Sequence, residues 1–391
     1  MTGSTFDVVV VGGGVIGLSV AWRAARQGFS VAVCDPEPGR GASWAAAGML
    51  APTAEARWGE GPLHELAQAS AALWPTFAGE LEDEAGAKVG FRQDGALSVA
   101  LGTDDYRALE DAVDVQRKLG CAAELLSGRE CRRLEPSVHP RVVGGALYPG
   151  DHQVDNRAVV RALSLACRRR GAQVRATAAR RLRRGAGGKA AGVDLADGSV
   201  LGAGAVVLAA GCRSGSLEGP PPEDLPPVRP VKGQILRLGA GRSASVGGRA
   251  VITRTVTATA EGRRVYLVPR ANGELVVGAT VEERGFDTTV TAGAVFELLR
   301  SAVAIVPDVA ELELSEAIAR LRPGTPDNGP VLGPAPATEG LLLATGHYRH
   351  GFLLAPVTVE ALGEVLAGRP LPAPAVPFSA SRFDVREPVR G

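Results

Sequence analysis

The strongest constraint on the fold lies between Phe6 and Asp35. Phe6-Asp7-Val8-Val9-Val10-Val11 is a β-branched run without proline, the pattern of a strand buried on both faces of a parallel sheet. Gly12-Gly13-Gly14-Val15-Ile16-Gly17 follows at once, and Leu18 to Gln27 then places Leu18, Ala21, Trp22 and Ala25 for one face of a helix. Ser30 to Asp35 reads as a second strand that ends in an acid. A G-x-G-x-x-G alone is weak evidence. Here a strand precedes it, a helix follows, and an acid closes the second strand eighteen residues past Gly17, which together predict a dinucleotide-binding βαβ unit. Gly12 permits the tight turn, Gly14 lets the backbone approach a pyrophosphate on the helix dipole, and Gly17 lets helix and strand pack closely. Asp35 can accept hydrogen bonds from a ribose diol, and its charge argues against a 2′-phosphate.

Composition narrows the class. At 391 residues, and about 150 per domain, the chain has room for two or three domains. Its 43 basic and 42 acidic residues leave a net charge of +1, so no global field draws it to nucleic acid or to an anionic membrane. The run Arg180-Arg181-Leu182-Arg183-Arg184 has no interleaved aromatic and reads as a solvated hairpin edge rather than a nucleic-acid patch. Five cysteines without a C-x-x-C pair fit reduced thiols, and a cytoplasmic location is expected. His347 and His350 stand three apart with no carboxylate nearby in sequence, so no metal site is expected. No apolar run approaches a membrane span, and the first apolar run lacks the basic flank of a signal peptide.

The segment after the second strand decides between dinucleotides. Gly39-Arg40-Gly41-Ala42-Ser43-Trp44-Ala45-Ala46-Ala47-Gly48-Met49-Leu50-Ala51-Pro52 is a stretch of small residues where a nicotinamide domain would run straight into another helix and strand. Small side chains expose backbone amides and let a large flat ring come close. The segment is expected either to open a helix facing pyrophosphate and flavin or to form a tightly packed alanine-rich helix.

These residues, with Gly12 to Gly17 and Asp35, resemble the D-amino-acid oxidase superfamily of flavoproteins, and within it most closely the glycine oxidases of thiamine biosynthesis. Five further blocks strengthen the resemblance. They are Pro230-Val231-Lys232-Gly233-Gln234, Tyr266-Leu267-Val268-Pro269-Arg270, Val277-Gly278-Ala279-Thr280, Leu321-Arg322-Pro323-Gly324-Thr325-Pro326-Asp327, and the segment from Ala344 to Pro356. The match runs from about residue 6 to about residue 368.

The implied fold is α/β in the two-domain sense: a Rossmann-like FAD-binding domain interleaved with a mostly antiparallel-sheet substrate domain. The expected partition is 1–86, 146–216 and 318–368 for the first, 87–145 and 217–317 for the second, and a proline-rich surface tail over 369–391. Helices are expected over 62–86, 103–119, 156–170 (capped by Asp155), 291–305 and 353–366, with buried strands near 205 and 341. Asp94-Gly95 between apolar alternations reads as a hairpin turn, and Gly219 to Pro230 as a linker.

The resemblance also implies roles. Arg322 and Arg349 stand where glycine oxidases hold the substrate carboxylate, a task suited to a planar, always-charged guanidinium, and Tyr266 matches a substrate-side tyrosine. FAD would lie along Gly12, Gly14, Val15, Ile16, Gly17, Asp35, Pro36, Ala42, Ser43, Ala47, Gly48 and Met49, then Arg180 (through its backbone) and Gly211, then His347, Tyr348, Arg349, His350, Gly351, Phe352 and Leu353. With no cysteine after Cys212, where covalent relatives attach flavin through one, the FAD is expected to be non-covalent. No catalytic acid or base is required if a neutral amine loses hydride. The implied substrates are a small amino acid and O2, the implied partner is thiazole synthase, and the implied assembly is a homotetramer. Arg264 stands where glycine oxidase presents a histidine, which changes the pocket mouth. The competing readings are a D-amino-acid dehydrogenase, a sarcosine oxidase-like enzyme, and a flavin-binding or RNA-modification domain without amino-acid turnover.

Overall fold

The computed structural model describes residues 4–239, 245–246, 249–260 and 263–383. The run read as the first strand is β1 (Ser4–Val11), followed by α1 (Val15–Arg26) and β2 (Val31–Cys34). β1 pairs in parallel with β2 on one side and with Val200–Leu208 on the other, and Leu341–Thr345 extends the parallel set. Both faces of β1 are buried, which is why every position from Val8 to Val11 is apolar. Val8 and Val10 face the helices Val15–Arg26, Gly61–Ala85, Asn156–Arg169 and Ala355–Leu366. Val9 and Val11 face Leu182, Val193 and Leu195 of the antiparallel pair Ala179–Arg184 and Ala190–Leu195. Trp22, Trp74 and Phe77 fill the helical side edge-to-face.

The second sheet orders its strands Leu314–Gly324, Arg229–Leu238, Leu275–Gly278, Arg263–Pro269, Thr255–Ala260, Ala96–Ala100, Gly144–Tyr148 and Glu124–Ser127. All neighbours are antiparallel except Thr255–Ala260 beside Ala96–Ala100. One face packs on the helix Ala292–Ile305, capped by the Thr291 hydroxyl, which accepts from the Ala294 amide. The other face carries Ile235, Val268, Val276 and Ile318 against Ala45 and Ala47 of the first domain, so the small-residue segment lies between the two sheets. The Asp155 cap is as expected, its Oδ1 accepting from Arg157 and Ala158.

Four expectations are corrected. The bounds drawn at 146 and 318 each cut a strand of the second sheet, because Gly144–Tyr148 and Leu314–Gly324 are paired there along their lengths. Asp94-Gly95 is no hairpin: Arg92 bridges Gln153, and Ala96–Ala100 pairs instead with Gly144–Tyr148 and Thr255–Ala260. The small-residue segment forms a single helical turn, Ala42–Ala45, and then leaves for the short strand Met49–Leu50. The carbonyls of Ser43, Trp44 and Ala47 bond Asn156 and Arg270 rather than continuing a helical ladder. The tail is also not a free surface segment over its described part. Ala373–Phe378 and Ala380–Phe383 form 3-10 turns, Phe378 is buried, and Arg382 pairs with Asp327 at 2.7 Å. Residues 384–391 lie outside the described residues.

Truncating Phe378 removes a buried aromatic that packs against Gly329. Phe378→Ala is expected to destabilise the fold by about 3–5 kcal/mol. A thermal melt checks this, and an unchanged midpoint would show that the segment is only draped over the surface.

Candidate functional site

A cavity of about 360 Å³ opens between the two sheets, floored by the N-terminus of α1 and by the Ala42–Met49 segment. The glycine motif shapes its inner end. Gly12 has φ +110°, and a Cβ there would sit 2.3 Å from the Ala209 carbonyl oxygen. A Cβ on Gly17 would sit 1.9 Å from the Gly12 carbonyl oxygen. Gly14, the N-cap of α1, offers no side-chain acceptor to the first turn, so the helix end meets the cavity with amides forward. Ser43 Oγ accepts from the Val15 amide at 2.9 Å and ties the two walls together. Asp35 accepts from the Gly13 amide at 2.7 Å through Oδ2 and from the Glu37 amide at 2.8 Å through Oδ1. Each oxygen keeps a lone pair for a diol. An extended anionic group with a diol at one end and a flat ring at the other fits this arrangement.

Of the cofactor positions expected from sequence, the cavity is lined by Gly14, Val15, Ile16, Asp35, Ala42, Ser43, Ala47, Gly48, Met49, Gly211 and the segment His347 to Phe352. Gly12 and Gly17 lie behind that surface and act through the close contacts just described. Pro36, Arg180 and Leu353 are not in the lining. Leu353 belongs to the core instead: it is buried, and its carbonyl accepts from Ser70 at 2.6 Å and from the Trp74 indole at 3.1 Å. Arg180 lies on the exposed strand Ala179–Arg184, with its carbonyl accepting from the Glu218 amide at 3.0 Å.

The His347–Phe352 loop follows Leu341–Thr345 and crosses the cavity wall. Tyr348 adopts φ +46°, a left-handed conformation that costs roughly 1–3 kcal/mol in a non-glycine residue. Its amide donates to the Pro323 carbonyl at 3.0 Å, which joins this loop to the strand bearing Arg322. His347 shares a 2.9 Å hydrogen bond with Thr358, and burial pushes its imidazole down to about 3. Burial likewise lowers His350 to about 4, so both rings are uncharged at neutral pH.

The three residues expected to meet substrate, Arg322, Arg349 and Tyr266, all line this cavity. Arg322 rises from Leu314–Gly324 into space left by Gly233, where a Cβ would sit 2.2 Å from its Nη1. That Nη1 donates to the Thr280 carbonyl at 3.1 Å. Tyr266, on the neighbouring Arg263–Pro269, occupies the space left by Gly278. Burial pushes the Tyr266 phenol up, against the opposing pull of the Arg322 guanidinium that it faces. Arg349 reaches the same space with its Nε 3.2 Å from Glu55 Oε2. The angle is poor for a hydrogen bond, and both Nε and Nη2 of Arg349 are buried without an acceptor among the described residues. A guanidinium so placed has donor capacity for a further carboxylate.

The sequence reading missed Glu55. Burial opposes its ionisation, but Arg264 at 3.5 Å and Arg349 at 3.2 Å outweigh that and hold it down to about 2. Arg264, noted from sequence only as a departure, also donates to the Ala54 carbonyl at 3.1 Å. Arg57 and Arg320 line the cavity as well. No local motif marks Glu55; it becomes a site residue only because the 51–55 segment folds back beside the His347–Phe352 loop.

Comparison with known proteins agrees with this architecture. The family model described as FAD dependent oxidoreductase (DAO) matches residues 7–365. The glycine oxidase of Geobacillus kaustophilus is 32% identical, over 96% of this chain and 97% of its own length. The crystal structure of glycine oxidase from that organism superimposes with a TM-score of 0.87, covering 97% of this chain and 99% of that one at 31% identity. A bifunctional ThiO/ThiG protein of Nostoc sp. is 34% identical over 93% of this chain, which spans 53% of that relative. A βαβ unit with its glycines closed on one another, a cavity between two interleaved sheets and a family match over most of the length lead to one conclusion: this chain belongs to the DAO family of FAD-dependent oxidoreductases.

Proposed function

We propose that the protein oxidises glycine, and less efficiently sarcosine and small D-amino acids, to the imine, which hydrolyses to glyoxylate, with O2 reduced to H2O2. The coarser statement, an FAD-dependent amino-acid oxidase, follows from the family and its glycine oxidase relatives. The observation that carries the finer reading is Arg349: a half-buried guanidinium whose buried Nε and Nη2 have no acceptor among the described residues, lining the same cavity as Arg322 and Tyr266.

When bound, FAD supplies the hydride acceptor, and the chain's residues bind, orient and exclude. Arg322 and Arg349 grip the two oxygens of the substrate carboxylate, and Tyr266 donates to one of them. Three fixed donors leave the Cα–H with one orientation, toward the glycine motif and the Ala42–Met49 segment, which would hold the ring. The protonated phenol of Tyr266 and the neutral rings of His347 and His350 add no charge to the pocket, so Glu55 is the anion the substrate carboxylate meets beside Arg349. No side-chain base enters, because the amine loses hydride as the free base. The imine product and the fused ThiO/ThiG relatives support a place in thiazole formation, with thiazole synthase as the acceptor of the imine.

Purified yellow protein given glycine in air is expected to release H2O2 in proportion to enzyme and glycine. Bound flavin without peroxide from glycine, sarcosine or D-alanine would overturn the oxidase reading in favour of a dehydrogenase. Arg349→Ala is expected to lower kcat/KM for glycine by roughly ten- to a hundredfold, mostly through KM, because a charged hydrogen-bond donor is lost. Unchanged kinetics would remove Arg349 from the site. Gly12→Val forces a side chain against the Ala209 carbonyl and is expected to abolish flavin retention, read as the loss of visible absorbance relative to protein absorbance. In the wild type, acid precipitation is expected to leave the yellow colour in the supernatant, as for non-covalent FAD; a yellow pellet would show a covalent link.

A further inference from the structure

Asp151 is a fully buried carboxylate outside the site described above. It sits in the turn between Gly144–Tyr148 and the short strand His152–Gln153, which pairs with Met49–Leu50. This pairing brings Asp151 opposite the residues that follow Leu50. Its Oδ1 accepts from the Thr53 amide at 2.9 Å and its Oδ2 from the Ala54 amide at 2.9 Å. The next residue is Glu55, 3.2 Å from Arg349, while the Ala54 carbonyl takes Arg264. Each carboxylate oxygen of Asp151 thus holds one of the two peptide groups that aim Glu55.

We propose that Asp151 is a positioning residue for the substrate carboxylate: it fixes the Thr53–Glu55 segment through two backbone amides, and Glu55 in turn fixes the Arg349 guanidinium. The inference rests on the reading of Arg349 as a carboxylate ligand. The chain of contacts is short, and each link is directional. Arg349 has no other anionic partner among the described residues, so a displaced Glu55 leaves its guanidinium free to swing out of register with Arg322.

The arrangement also ties substrate binding to proton uptake. Burial pushes the Asp151 carboxyl up to about 7; the Ala54 and Thr53 donors oppose the rise, and the nearby Glu55 adds to it. Above that pH both oxygens accept. Below it one oxygen carries a proton and accepts only weakly from its amide, and the segment loosens. The other groups facing this spot are Glu55, held ionised at about 2, and Cys121 and Tyr148, whose protons burial retains. His64 stands behind Cys121 at 3.5 Å, and His152 is adjacent, its imidazole lowered by burial.

The test is acetate binding to the flavin-loaded protein by calorimetry at pH 6 and pH 8, since acetate has no amine of its own to titrate. The wild type is expected to bind about fivefold more weakly at pH 6, the weakening of one hydrogen bond. Asp151→Asn is expected to bind weakly at both pH values, with less than a twofold difference between them. Glu55→Gln, which leaves Asp151 intact, is expected to flatten the profile too and serves alone if Asp151→Asn does not fold. His64→Gln is expected to retain the pH step. A pH step that persists in Glu55→Gln, that disappears in His64→Gln, or that is missing from a wild type that binds acetate would overturn the proposal. A wild type that binds no acetate at either pH would instead overturn the carboxylate reading of Arg349.

Discussion

The site depends on one buried clamp. Arg270, on the end of a strand of the second sheet, sends Nη2 to the Ala47 carbonyl at 2.7 Å and Nη1 to the Val154 carbonyl at 2.9 Å. Asn156, the first residue of its helix, donates to the carbonyls of Ser43 at 2.8 Å and Trp44 at 3.0 Å, and its Oδ1 accepts from both Arg270 and Arg237. Burial lowers even the Arg270 guanidinium to about 10, and the charge is kept because so many acceptors surround it. Leaving such a group unpaired by removing its partners costs about 3–5 kcal/mol. The clamp does two things at once: it holds the Ala42–Met49 segment in a non-helical path, and it bolts the second sheet to the nucleotide-binding domain. The spacing between the two walls of the cavity is therefore set by side chains that do not line it.

The charged groups at the cavity form one cluster beside neutral ones. His347 and His350 are uncharged imidazoles, and the N-terminus of α1 presents its amides forward. Arg264 and Arg349 flank one ionised glutamate, with Arg322 in the lining of the same cavity. Glu55 thus offsets part of the positive field of these arginines. The arginine at position 264 strengthens this balance at the mouth, where it anchors both the carboxylate of Glu55 and the carbonyl before it.

The elements with period and caps were legible in the sequence. β1, α1, the helix capped by Asp155 and the helix capped by Thr291 are encoded by local pattern, and the glycines at 12 and 17 announce close approaches that the structure contains. Legibility failed where tertiary partners override local preference. Ala42–Ala47 has the composition of a helix, but Asn156 and Arg270, more than a hundred residues away, capture its carbonyls. The strand from Ala96 has a turn before it, yet its partners come from Gly144–Tyr148 and Thr255–Ala260. Glu55 and Asp151 carry no motif at all, since their meaning lies in a pairing of two-residue strands. Arg322, Arg349 and Tyr266 are legible only through resemblance, and what the sequence could not show is that glycines 233 and 278 hollow out the space that Arg322 and Tyr266 occupy.

The packed C-terminal turns have a consequence for the order of assembly. Arg382 donates to Asp327 and to the Gly329 carbonyl, fastening the loop that leaves the Arg322 strand, and Leu341–Thr345 completes the parallel sheet begun by β1. A ribosome that has delivered the first two hundred residues has made the glycine motif and the Ala42–Met49 segment, but neither the Arg322 strand nor the His347–Phe352 loop on the facing wall. Contacts of such long sequence separation form late and slowly. The nascent nucleotide-binding unit therefore waits, with one side of Val200–Leu208 unpaired, until Leu341–Thr345 is synthesised. Because the cavity lining runs from Gly14 to Phe352, its two walls can meet only after the chain has been delivered past the His347–Phe352 loop.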